Sequence, residues 1–82
     1  MKKEPSFTAW LRAQKKRQDP VGDLSRDMRS DGEWPRVPGA GLPLYTQHLE
    51  ECGACDGAFR ALKRAYAEWS LLRREAGDAD AA

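Results

Sequence analysis

The groups in this chain best suited to chemistry are His48, Cys52 and Cys55, spaced His-x-x-x-Cys-x-x-Cys. On a helix, His48 and Cys52 stand one turn apart on a single face. Cys55 follows the turn that Gly53 sets, so an imidazole and two thiols can converge. These are zinc ligands, but a structural zinc site takes four, usually from two separated pairs, and the chain has no other histidine or cysteine. In that reading a carboxylate such as Asp56, or a second copy of the chain, completes the set. The Cys-x-x-Cys spacing also suits dithiol redox chemistry, with Cys55 near a helix start that lowers its pKa, but the strand–helix–strand context of such sites is missing. The plainer reading makes the cysteines small apolar residues lining a turn and His48 a partly buried packing residue. The expectation is therefore no cofactor, with His48, Cys52 and Cys55 as weak metal candidates.

Other chemistries find less support. Asp23, Asp27 and Asp31 form an i, i+4, i+8 row, which reads as a solvated helix face, because acid–base work needs a pocket that drives two carboxylate pKa values apart. Gly39 and Gly41 flank Ala40 without a P-loop signature or a preceding strand. No serine sits in a nucleophile elbow beside the single histidine. No catalytic residue is expected, and the chain reads as a non-enzyme.

The basic residues offer a different chemistry. Residues 1–18 carry six basic and one acidic side chain, 19–56 three basic and eight acidic, 57–74 five basic and one acidic, and the rest three acidic, for a net charge of +1. Such asymmetry suits either internal pairing or a polyanion. If the first and last helices lie side by side, Arg12, Lys15, Lys16, Arg17, Arg60, Lys63 and Arg64 form one positive surface for phosphate contacts.

Positioning these groups requires helices. Ser6 is an N-cap, and Phe7, Trp10, Leu11 and Gln14 share one face of a first helix that ends near Gln18. Asp19 caps a second helix with Pro20 at its first position; Val21, Leu24 and Met28 form its stripe and Gly32 ends it. Gly22 implies a close approach by another helix. Trp34-Pro35 is an extended step, with Trp34 plugging the core. A third helix opens around Leu42-Pro43, sets Leu44, Tyr45, His48 and Leu49 on one face and ends at Gly53. The fourth runs from Cys55 or Asp56 to Arg74 on a stripe of Phe59, Leu62, Tyr66, Trp69 and Leu72. Ala58, Ala61 and Ala65 beside it permit close packing. No period-2 run exists, so the class is all-α: a flexible N-terminus at 1–5, a helical domain at 6–74 and a disordered acidic tail at 75–82.

With 82 residues there is room for one core, which seven aromatic residues supply. Neither a secretory leader nor a membrane span is legible, and the closely spaced cysteines suit a reducing, cytoplasmic setting.

Across residues 6–35 the chain resembles the YozE SAM-like family of small bacterial domains similar in fold to sterile alpha motifs. Phe7, Trp10, Leu11, Gln14, Arg17, Asp19, Pro20, Val21, Gly22, Asp23, Leu24, Asp27 and Asp31 carry the likeness. Ser25 replaces a small alanine and Trp34-Pro35 replaces Phe-Pro. Leu44, Tyr45 and Leu49 resemble the family's third helix, and Phe59, Tyr66 and Trp69 its last. The glycine-rich loop, the two cysteines and the acidic tail depart from it. The resemblance implies a compact four-helix bundle with no catalytic site. By analogy of fold, it implies association with a protein partner or with itself, or binding to a DNA or RNA backbone.

Overall fold

In the computed structural model, which describes residues 6–37 and 40–81 with side chains as far as Arg74, each helix begins where its sequence signal lies. The helices are α1 (Phe7–Arg12), α2 (Pro20–Ser30), α3 (Leu42–Glu51) and α4 (Asp56–Ala81), with no strand among the described residues. Residues 1–5, expected to be flexible, lie outside those described.

The caps are side chains of the expected type. The Ser6 hydroxyl accepts from the Ala9 N–H at 3.2 Å, and the Asp19 carboxylate accepts from the Gly22 N–H at 2.9 Å, each satisfying a donor the helix cannot pair internally. Gly53 adopts φ +69°, a left-handed conformation glycine takes without strain. The Ala54 and Gly53 N–H groups then donate to Leu49 and Glu50 oxygens at 3.0 and 3.1 Å, closing α3 with a Schellman turn.

Three ends differ from expectation. The first helix stops at Arg12 rather than near Gln18, giving way to turns held by Gln14 N–H to Leu11 O and Arg17 N–H to Gln14 O. These turns meet α2, where the Arg26 guanidinium donates to the Lys15 and Arg17 carbonyls and holds the connection in place. α2 is ended by Asp31 rather than Gly32: the Asp31 backbone turns extended and its Oδ1 accepts from the Glu33 N–H at 2.9 Å. α4 runs to Ala81, through most of the expected disordered tail, because adding a residue to an existing helix is far easier than starting one.

α4 is the axis of the bundle. α1, α2 and α3 all pack on it, and α1 also packs on α2. Phe7 is the hub of the core, with ring centroids 5.0 Å from Tyr45, 5.0 Å from Tyr66 and 5.7 Å from Trp69. Around it Leu11, Val21, Leu24, Met28, Leu49, Leu62 and Ala65 are buried. Trp34 closes the core as expected, stacked on Tyr45 at 5.3 Å with its indole N–H donating to Thr8 Oγ1 at 3.0 Å. Leu72 departs from the expected stripe and is half exposed, since α4 there extends beyond the helices that pack on it. Gly22 is required by contact. A Cβ there would lie 1.9 Å from the Arg17 carbonyl oxygen, so the close approach comes from the α1–α2 connection.

Candidate functional site

The two ends of α2 build two polar clusters. At its start, Asp19 turns one carboxylate oxygen to the helix and the other to Arg17, whose Nη2 lies 2.7 Å from it. Arg17 also donates to Glu68 of α4 at 2.9 Å, and Arg64 bridges back to Asp19 at 3.5 Å and to Glu68 at 3.2 Å. Hydrogen bonds from Arg17 hold Glu68 and Asp19 below their usual carboxylate range. The same bonds, from Glu68 first and Asp19 second, push Arg17 still higher. Two cations and two anions satisfy one another, and this cluster has no free ligand atom to offer.

At the other end Asp31 is the C-cap of α2. Its Oδ2 lies 2.6 Å from His48 Nε2, and the Cys52 Sγ lies 3.6 Å from the same nitrogen. His48 is 8% exposed, while Asp31 is partly open and Cys52 exposed, so the imidazole is fixed and the outer ligand atoms are accessible. Trp34 meets the imidazole edge-on at 5.7 Å and orients it. The hydrogen bond to His48, followed by that from the Glu33 N–H, holds the Asp31 carboxyl below its ordinary range.

Of the three weak metal candidates, His48 and Cys52 come together as the i, i+4 spacing predicts. Cys55 does not join them. It lies past the Gly53 turn and faces the other side of α4's first turn, where it lines a groove with Gly57. The carboxylate in the cluster is Asp31, not Asp56, and its ligand atom lies within 4.8 Å of both others. Asp31 was hidden as the last member of an acidic row. Spacing along the chain cannot show that a helix end meets a residue 17 positions later.

The groove that Cys55 lines runs between α2 and the first half of α4, with a volume of about 730 Å³. Leu24, Ala58 and Ala61 form its floor; the α2 rim carries Asp27 and an Asp23–Arg26 ion pair, and the α4 rim Arg60 and Arg64. The small α4 side chains create it. Of the seven basic residues expected to contact phosphate, Arg17 and Arg64 are engaged with Asp19 and Glu68. Arg12, Lys15, Lys16, Arg60 and Lys63 are exposed, and among the described residues none of them forms an ion pair. No family, curated protein or solved structure matches the chain. Among the described residues no helix is long and apolar enough to cross a membrane.

Proposed function

We propose that this domain is a non-catalytic interaction module of the YozE SAM-like kind, acting in a reducing cytoplasm and docking a segment of a protein partner in the α2–α4 groove. The observation that carries the reading is the groove itself: an apolar floor of Leu24, Ala58 and Ala61 between an α2 rim with an exposed Asp27 beside the Asp23–Arg26 pair and an α4 rim with Arg60 and Arg64. The floor gives a docked segment surface to bury, and Asp27 and Arg60 on facing rims, neither in an ion pair among the described residues, fix its direction. The ion-pair cluster of Arg17, Asp19, Arg64 and Glu68 ties the start of α2 to α4 at one end of the groove.

A photo-crosslinking amino acid at Gly57, in the groove, compared with one at exposed Gln47 on α3 tests this. Crosslinks to a defined protein partner, or to a second copy of the chain, from position 57 alone support the reading. Equal labelling from both positions overturns it.

The five unpaired basic residues favour a second reading, binding of a nucleic-acid backbone. Its signature is salt: log K falls against log salt with a slope of about −0.9 per neutralised phosphate. Amide shifts near Lys15, Lys16 and Lys63 on adding a mixed-sequence DNA duplex, lost at moderate salt, would place this reading above the first.

A further inference from the structure

We propose that Asp31, His48 and Cys52 form a binding site for a transition-metal dication, zinc by the chemistry of its ligands, using Asp31 Oδ2, His48 Nε2 and Cys52 Sγ with a fourth position open. The set joins one nitrogen, one sulfur and one oxygen. That combination selects zinc and its spectroscopic substitute cobalt(II) over the oxygen-seeking magnesium and calcium.

The spacing fits. Zinc bonds of the usual length at a tetrahedral angle place nitrogen and sulfur about 3.6 Å apart, and nitrogen and oxygen about 3.3 Å apart. Nε2 and Sγ stand 3.6 Å apart already, whereas Oδ2 at 2.6 Å has to withdraw by rotating its carboxylate. That rotation also lengthens the contact of the other oxygen with the Glu33 N–H, and the partly open position of Asp31 leaves room for it.

The electrostatics point the same way. Asp31 is the C-cap of α2 and Cys52 the C-cap of α3, so the negative ends of two helix dipoles meet where the ligand atoms converge. A carboxylate at such an end is unfavourable alone and favourable beside a cation. One carboxylate and one thiolate neutralise a dication completely, so no net charge is left beside the buried imidazole. Ligation through Nε2 requires a neutral imidazole with its one N–H on Nδ1, so the contact between Nε2 and Oδ2 is exchanged for two bonds to the metal, and the Cys52 thiol gives its proton to solvent. A cavity of about 180 Å³, bordered by Leu24, Met28, Asp31, Trp34, Cys52 and Ala58, gives room for a water or a partner's side chain as fourth ligand.

Cobalt(II) titration of the intact 82-residue chain, with both thiols kept reduced, tests the site. The expected result is one equivalent bound, with a thiolate-to-cobalt charge-transfer band, intense visible bands of a tetrahedral ion, and displacement by zinc. Cys52→Ser removes the charge-transfer band and weakens binding at least about 100-fold, Asp31→Asn weakens it about 10-fold, and Cys55→Ser changes neither. Because Cys52 is exposed, its variant keeps the fold, which circular dichroism verifies. Absence of the charge-transfer band in the parent chain overturns the proposal. So does a pale octahedral spectrum with more than one ion bound, or equal loss in the Cys52 and Cys55 variants.

Discussion

The two ends of α2 carry the same residue type in the same role and reach opposite chemical results. Asp19 and Asp31 are both helix caps, and each ties α2 to another part of the bundle. At the N-terminus the dipole favours the carboxylate, and two guanidiniums that never deprotonate complete its shell. At the C-terminus the dipole opposes the carboxylate, and its side-chain partner is an imidazole that in turn meets a thiol, groups that exchange protons for metals. A capping aspartate is thus structural or ligand-competent according to the end of the helix it occupies and the hardness of its neighbours.

The largest effect that breaks this comparison is loss of the support beneath the C-terminal cluster. Trp34 is buried, stacks on Tyr45, meets His48 and donates to Thr8. Trp34→Ala should cost roughly 3–5 kcal/mol by urea denaturation, and any fold that remains should lose the His48 orientation. Trp10, half-buried at the edge of the Phe7 cluster, should cost only roughly 1–2 kcal/mol as Trp10→Ala. Equal losses would mean that the two rings support the core alike.

The N-terminal end breaks next. Gly22→Ala pushes a methyl into the Arg17 carbonyl oxygen, where backbone meets backbone and no side-chain rotation relieves it. Overpacking of this kind costs roughly 1–3 kcal/mol, and a loss at or above the top of that range is expected, read as a lower denaturation midpoint with unchanged slope. The displaced carbonyl carries Arg17 with it, so the N-terminal ion-pair cluster should loosen while Asp31 and His48 stay paired.

These residues also mark how far the sequence could be read. The caps Ser6 and Asp19 and the stripes of α2 and α3 were legible because each depends on neighbours within one or two turns, and the Trp34 plug because a large aromatic residue before a proline has little to do but bury itself. The end of α1 was not, since the turns from Ala13 to Arg17 are held by a residue of α2, Arg26, which local periodicity cannot place beside them. In the candidate site, the His48–Cys52 pair was legible from helical spacing. Asp31 was not, because its role arises only when the chain through Trp34 brings the cap of α2 beside His48 of α3. Cys55 was misplaced for the complementary reason: three residues in sequence look close, but the Gly53 turn points it into a different groove.

Arg17→Met keeps the aliphatic stem and removes the charge that Asp19 and Glu68 share. With these groups partly exposed the loss should be about 1 kcal/mol, a fall in Tm of about 4–8 °C. The pH dependence sharpens it. Asp19, Glu68 and Asp31 are all depressed in the folded chain, so between folded and unfolded pKa values the unfolded chain binds more protons. Their stabilisation is complete above the unfolded carboxylate values of about 4 and is lost as pH falls through the folded ones. In the Arg17 variant, Asp19 and Glu68 return toward ordinary values and the acid limb flattens. Asp31 keeps its share, because His48 and not Arg17 holds it.

The smallest effect separates the two ends most cleanly. Without metal, Cys52→Ser removes one long contact from an exposed position and should shift stability by no more than about 0.5 kcal/mol. With zinc at about 100 times its dissociation constant, the parent chain should gain about 2.7 kcal/mol by mass action, while the variant gains far less. Arg17→Met should leave that zinc-dependent gain intact, because its cluster shares no atom with the metal ligands. A gain abolished by both substitutions would show that the two ends of α2 act as one unit.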